Sequence, residues 1–463
     1  MLAKQKSTAQ ISFYSSFEEQ LNHSHPLYIL ANRIDWNVFE DAFKKHYSAT
    51  QGKPAKPIRL MVSLLILKQL RNLSDESVVE QWAENAYYQY FGGEDLFSVK
   101  PPCVPTELVE FRKRIGEAGV ELILKESIRI NGTDADDDNL SGDTTVQEKN
   151  ITYPTDDKLY KKIIVKCQKI AEKEALELRQ SYKFTIKKLS TIQRFKKTKG
   201  GANKARKACK KIKTIAGRLV RELDRKLSPS VLNRYATDLS LFKKVLAQKR
   251  SDTGKIYSLH EPEVKCYTKG KEHKKFEFGS KASFLVTQST GVIVGAFNFT
   301  ETLHDSKTLP AALQQYERLM DKEAKNVFLD RGYRGPKMIN NTALHTPKPD
   351  KNITTAKRKR HKRRAAIEPV IGHLKHNYRM LRNYLKGTVG DAMNVMLAGA
   401  AMNFKRMMNK WKEELVFWAL RLTHFFTLYK LVFYSQIKND FLRANEIICF
   451  TQISKRGSRK VLL

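Results

Sequence analysis

Apolar residues recur at helical spacing through the first quarter of the chain, and β-rich runs gather only after Tyr257. "PIRLMVSLLILKQLRNL" (57–73) predicts a helix. "LSDESVVEQWAENAYYQYFGG" (73–93) predicts another, with Ser74 as N-cap and the glycine pair as its stop. "VPTELVEFRKRIG" (104–116) repeats the pattern; Pro105 and Thr106 open it, and Arg112, Lys113 and Arg114 line its second half. Short helices ending on a basic one suit a DNA-docking unit. An ordinary helical bundle with a solvated basic face fits the same pattern.

"NGTDADDDNLSGDTTVQEKNI" (131–151) interrupts the helices. Its acids and small residues predict a loop that leads into a short strand around Thr144 to Gln147. Residues 159–249 return to helical spacing with dense charge, most of it in "GGANKARKACKKIKTIAGRLVRELDRKL" (200–227). Several long amphipathic helices are predicted there, jointed at Gly200–Gly201 and at the "SPS" around Pro229. "KFEFGSKASFLVTQ" (275–288) and "GVIVGAFNFTE" (291–301) then read as a hairpin. A helix over 309–322, a strand "NVFLD" (326–330), a last strand "TALHTPKP" (342–349) and a long basic helical segment (356–387) complete the pattern. The predicted class is mixed α/β: a five-stranded mixed sheet with helices, interrupted by a large helical insertion and preceded by an all-α region.

Composition narrows the function. The 463 residues are 41% hydrophobic and 10% aromatic, which excludes a disordered chain. Eighty-five Lys and Arg against 48 Asp and Glu leave a net charge of +37. An excess of that size points to a polyanionic partner, most simply nucleic acid, because each neutralised phosphate releases condensed counterions. The five cysteines (Cys103, Cys167, Cys209, Cys266, Cys449) form no CxxC pair. They support neither a zinc site nor a disulfide framework, and a reducing cytosol fits them. "MLAKQKSTAQ" has no apolar leader core. Arg421, His424 and Lys430 interrupt the most apolar tract, "LVFWALRLTHFFTLYKLVFY" (415–434). It reads as a core-packing or partner-binding helix and not as a membrane span.

Three carboxylates stand at informative places. Asp143 lies on or beside the first strand, Asp330 ends the fourth, and Glu368 lies in the helical segment after the fifth. In a mixed sheet the first and fourth strands can be neighbours, so the three acids can meet at one edge. Clustered carboxylates need cations to neutralise them. Two Mg²⁺ ions about 4 Å apart can activate an attacking hydroxyl and stabilise the leaving oxygen in phosphoryl transfer. Each acid taken alone also fits a turn or a surface ion pair. Around Glu368 the spacing is His361-x2-Arg364-x3-Glu368-x6-Lys375. On one helix these residues would form a stripe in which cations flank the carboxylate. Pro369 is tolerated only in a first turn, which sets the helix start near Ile367. Asp305, beside His304, reads as a turn residue or as an acid supporting the metal ligands. Asp134, Asp136, Asp137 and Asp138 are expected to crowd the first ligand.

These segments resemble the DDE transposases of bacterial insertion sequences, specifically their InsH-like branch. Arg364, Glu368 and Lys375 match that superfamily's tyrosine-x2-arginine-x3-glutamate-x6-lysine signature, with His361 at the tyrosine position. "DTTVQEKNITYPTDDKLYKKI" and "DRGYRG" resemble the segments around its first and second aspartates, and the likeness extends over about residues 25–405. It implies an RNase H-like core over 138–158 and 255–405, a helical DNA-binding domain over 1–125, a basic insertion over 159–250 whose faces track DNA, and a helical tail over 406–463. By the same resemblance Asp143, Asp330 and Glu368 form the metal-binding catalytic triad for two Mg²⁺ ions, with Mn²⁺ as a substitute. Arg364 and Lys375 contact transposon-end DNA. His361, Arg331, Arg334, Arg112, Arg114 and Lys281 are further expected DNA contacts. The implied protein binds the terminal inverted repeats of its element, cuts the 3′ ends and joins them to target DNA. It is expected to act as a homodimer on double-stranded DNA, in the bacterial cytoplasm at the nucleoid and away from membrane. Two other readings remain: a catalytically impaired or repurposed transposase that only binds DNA, and an RNase H-like nuclease for structured nucleic acid.

Overall fold

The computed structural model describes residues 16–457 apart from 49, 250, 272–273 and 348–353. The opening stretch read for a leader, and Lys348 and Pro349 of the expected last strand, lie outside the described residues. Eight strands form one mixed sheet: β1 (Asn139–Lys149), β2 (Lys265–Lys271), β3 (Lys274–Thr287), β4 (Ile293–Phe299), β5 (Asn326–Phe328), β6 (Met338–Ile339), β7 (Thr342–His345) and β8 (Arg382–Asn383). The expected five are β1, β3, β4, β5 and β7. Across the sheet they run β4-β3-β1-β5-β7, with β3 antiparallel to β1 and β4, and with β1, β5 and β7 mutually parallel. That arrangement is consistent with an RNase H-like core. The sequence reading missed β2, β6 and β8; β6 and β8 are two-residue bridges that carry no periodicity.

The first strand departs most from expectation. It spans 11 residues, and Asp143 sits in its middle and not at an irregular edge. Pairing with β3 from Leu140 to Glu148 forms this strand, because the ladder supplies hydrogen bonds that local sequence does not favour. The preceding acids do not crowd the site. Asp134 pairs with Arg406 and Lys410, Asp136 with Lys322 and Asp138 with Lys325, while Asp137 accepts from the Ser289 amide and hydroxyl. They fasten the strand's entrance to its neighbours.

In the N-terminal region, helix Ile58–Leu70 is buried on nearly every side, so its apolar pattern runs all round. Ser74 caps the next helix, Asp75–Glu84, by accepting from the Ser77 amide at 3.0 Å. Asn85 breaks the expected single helix and caps a second one, Ala86–Phe91. Helix Pro105–Asn131 continues well past Gly116, where φ of 64° kinks it. Its buried face joins the N-terminal helices and the sheet in one hydrophobic core.

The insertion forms four helices: Asp156–Lys173, Lys183–Arg194, Gly201–Lys226 and Pro229–Ala247. The expected joints hold, with Gly200 left-handed before the third and Pro229 opening the fourth. These helices bury a second, separate core that includes Ile163, Ile212, Leu219 and Phe242. Helix Gly387–Gly457 is the last described element and packs on Pro105–Asn131 and β4. Among the described residues its last buried position is Met408. Beyond them Leu415, Val416, Phe417, Trp418, Leu420, Leu422, Phe425 and Phe426 are 40–64% exposed, so among the described residues this part of the tract does not pack into the core. Among the described residues no helix is long and apolar enough to cross a membrane.

Candidate active site

The parallel ladder between β1 and β5 pairs Asn139 with Asn326 and Ser141 with Phe328. Continuing that register by two residues sets Asp143 beside Asp330, on the same face of the sheet. Gly142 permits the approach: a Cβ there would come within 2.8 Å of the Leu329 side chain. Leu329 extends the ladder by donating its amide to the His345 carbonyl at 2.9 Å.

Asp143 is largely buried. Burial pushes its carboxyl up to about 6, and the neighbouring charges of Asp330 and Asp305 push the same way, against the Thr144 amide and Arg364. The Thr144 amide donates to Asp143 Oδ1 at 2.7 Å, and the Thr144 hydroxyl donates to Asp305 Oδ1 at 2.6 Å. Lys281 Nζ donates to Asp305 Oδ1 at 2.9 Å and to the Leu303 carbonyl. Asp305 opens helix Asp305–Met320, so it is more than a turn residue: it stands behind Thr144 and buttresses Asp143. Thr144 itself was not anticipated, since a strand threonine carries no separate sequence signal.

The Arg–Glu–Lys stripe is not one helix. The chain turns at Ala365 and Ala366 between helix Thr355–Arg364 and helix Ile367–Asn377, so the second helix begins where Pro369 required. Across that turn Arg364 still approaches Glu368, at 3.9 Å. The Glu368 side chain is 68% exposed. Helix Ile367–Asn377 packs on β1, and Lys375 lies half-buried in its last turn. Among the described residues no three acids, histidines or cysteines are close enough together to hold a metal ion. Two of the expected triad, Asp143 and Asp330, converge. The buried, charge-crowded state of Asp143 is what a divalent cation would relieve. Glu368 stands outside that pair.

Several expected DNA contacts are otherwise engaged. Arg112 is buried and grips Asp75 with both terminal nitrogens, at 2.8 and 2.7 Å, beside Lys68. It holds the N-terminal helices together and is closed to DNA. Lys281 is committed to Asp305. Both ring nitrogens of His361 are buried without a hydrogen-bond partner. The ring packs edge-on against Phe328 at 5.2 Å. Burial, then Lys357 and Arg364, hold its pKa below the ordinary value, so it is a neutral packing residue. Arg114 is exposed and lies over the Tyr47 ring at 4.6 Å.

In "DRGYRG" the Tyr333 ring is buried and anchors the loop, while Arg331 and Arg334 face solvent. Neither Gly332 nor Gly335 has positive φ, so the loop does not depend on their conformational freedom. Gly332 instead leaves room for the Asp330 carboxylate, whose oxygens lie 3.3 and 3.4 Å from where a Cβ would be. Directly beyond Asp330 opens a cleft of about 670 Å³, lined by Arg331, Arg334, Lys337, His345 and Lys357 among others. Its cations come from two segments, residues 331–337 and Lys357, which the fold brings together.

Residues 15–114 match the family described as "Transposase domain (DUF772)", and residues 248–404 match "Transposase DDE domain". Asp143 and most of the insertion fall between the two matches. A 175-residue segment is 40% identical to "Uncharacterized protein ORF8 in nfe locus" of Rhizobium meliloti, covering 37% of this chain and 84% of that protein. No solved structure matches the chain. Two transposase domains in one chain, with a mixed sheet consistent with the second, show that the protein belongs to the DDE transposases of insertion elements, nucleic-acid-processing enzymes that act on DNA.

Proposed function

We propose that this transposase binds the terminal inverted repeats of its own element, cleaves their 3′ ends and joins them to target DNA. The observation that carries the reading is the pair Asp143 and Asp330, side by side on the sheet and flanked by the basic cleft. These two carboxylates would hold a divalent cation, expected to be Mg²⁺ with Mn²⁺ as a substitute and two ions in the full site. Glu368 is the third acid, carried on the helix that packs against β1. The bound cation supplies charge neutralisation and an acidified nucleophile.

The chain's own residues position the DNA. Thr144 and Asp305 hold Asp143 in place. Arg331, Arg334, Lys337 and Lys357 grip the phosphodiester backbone beside Asp330, and Arg364 places positive charge next to Asp143. In the first step a water oxygen attacks the phosphorus at the element's end. The bond to the 3′ oxygen breaks, leaving a 3′-hydroxyl and a 5′-phosphate. In the second step that hydroxyl oxygen attacks a target phosphodiester and displaces the target's 3′ oxygen, which takes up the proton. Rate comes mostly from positioning and charge neutralisation. Two copies are expected to act together, because two ends must be held at once, and the bacterial nucleoid is the place of action.

A supercoiled plasmid carrying the element's ends, purified protein and Mg²⁺ test the reading. Nicking and joined products are expected, and Asp143→Asn, Asp330→Ala and Glu368→Ala should each abolish them. Glu368 standing apart from the other two acids favours a second reading, a transposase that binds its ends without cutting them. Specific end binding with no cleavage in either Mg²⁺ or Mn²⁺ would establish that reading in place of the first.

A further inference from the structure

Helix Gly387–Gly457 carries one apolar stripe that begins inside the core and ends outside it. From Leu397 to Phe425 apolar residues recur at alternating steps of four and three along the chain. The first four, Leu397, Ala401, Phe404 and Met408, are buried in the core shared by the N-terminal helices and the sheet. Trp411 is partly buried at the edge of that core. The next four, Leu415, Trp418, Leu422 and Phe425, prolong the same stripe and are exposed. A mean step of 3.5 residues, held over four heptads, keeps a stripe facing a partner helix that winds with it. A straight helix of 3.6 residues per turn drifts away from such a stripe by about 20° per heptad. The inner half of the seam meets helix Pro105–Asn131 and β4. Among the described residues nothing covers the outer half.

We infer that the outer seam is covered by the same seam of a second copy of this chain, in a helix pair that forms before any DNA is bound. Charge decides the occupant. The chain as a whole carries +37, so two copies repel over most of their surface. Residues 411–427 hold Lys412 and Arg421 against Glu413 and Glu414, which leaves no net formal charge. Two copies can therefore approach there without like-charge repulsion. The same neutrality suits neither a polyanion nor an anionic lipid surface, both of which select a cation-rich face. The seam is also self-complementary: all four of its exposed positions are apolar, so pairing it with itself buries no charge. Trp418 and Phe425 are the anchors, because large aromatic side chains desolvated at the centre of an interface carry most of its affinity. Off the seam, the Arg421 guanidinium lies over the Phe417 ring at 6.0 Å, so that ring has cover from its own chain. The two helices meet only beyond Trp411, since before it each seam is occupied by its own core. The pairing rests on this seam and not on the catalytic reading.

Sedimentation equilibrium of the full chain, without DNA or divalent metal, tests the pairing apart from catalysis. The wild type is compared with a seam variant, Trp418→Glu/Phe425→Glu, and with an outer-face variant, Val416→Glu/Leu420→Glu, which removes as many apolar side chains from off the stripe. The wild type should be a dimer at micromolar concentration. The seam variant should dissociate, with its dimer constant weakened at least roughly hundredfold. The outer-face variant should stay paired. Unchanged melting temperatures check the fold, since all four side chains are exposed. A monomeric wild type would overturn the inference, as would equal loss in both variants or unchanged association in the seam variant. So would a monomer that co-sediments with vesicles of phosphatidylcholine and phosphatidylglycerol, because the occupant would then be lipid. End cleavage measured separately on the same proteins leaves the catalytic reading to stand or fall by itself.

Discussion

At the scale of single residues, Asp143 shows function opposing stability. Its carboxyl titrates near 6 because it is buried beside other acids, so at pH 8 the folded protein holds an ionised group that burial disfavours. A folded pKa above the unfolded value means that this carboxyl's contribution to stability is greatest at low pH and is lost as pH rises through the folded value. Asp143→Asn keeps the acceptor for the Thr144 amide and removes the charge. It should abolish cleavage and, without metal, raise unfolding free energy at pH 8 by about 1–2 kcal/mol. Urea denaturation at pH 8 and pH 5 reads this, with a smaller gain at pH 5; a destabilised variant would refute the account. The neighbouring residues show how far side-chain type predicts role. Asp330 lies just past the end of β5, and Arg364 approaches Glu368 at 3.9 Å and acts on the Asp143 charge. His361 and Lys281 have the right chemistry for DNA but are consumed by packing and by Asp305.

At the scale of elements, the N-terminal helices are clamped by Asp75, Arg112 and Lys68. Burial works against the Asp75 charge, but hydrogen bonds from Arg112 and the Lys68 ammonium hold its pKa below the usual range. Burial, with Arg112 close by, pushes Lys68 down to about 8. The unfolded chain therefore binds this proton more tightly, and the charged lysine's cost is present below pH 8 and disappears as pH rises toward about 10.4. Wild type should gain stability relative to Lys68→Met between pH 8 and pH 10, by up to about 3 kcal/mol, as followed by urea unfolding at each pH. A pH-independent difference would exclude the shift. Element types were largely legible: the hairpin, the insertion's helices and joints, and the Ser74 cap follow from periodicity and turn chemistry. The break at Asn85 and the length of the first strand were not, because capping competition and ladder partners decide them.

At the scale of the whole molecule, two hydrophobic cores coexist among the described residues. One unites the N-terminal helices with the sheet; the other belongs to the insertion. Among the described residues the helix Gly387–Gly457 serves the first as far as Met408 and the partly buried Trp411. Ending the chain after Lys412 should therefore leave the melting temperature within about 2 °C of the full chain's while reducing self-association, read by differential scanning calorimetry and light scattering. A large fall in melting temperature would show that the exposed segment covers the core after all.

The chain by itself determined its class, its appetite for a polyanion and which acids are candidates for the site, since periodicity, net charge and motif spacing are local or additive properties. Tertiary structure alone decided which of those residues meet. The β1–β5 register brings Asp143 to Asp330, and among the described residues Glu368 does not complete a three-ligand cluster with them, because distances between residues far apart in sequence are set by strand pairing and helix packing. It also decided which cations remain available: burial and pairing remove Arg112, His361 and Lys281, and leave the loop at Arg331 and Arg334 facing solvent.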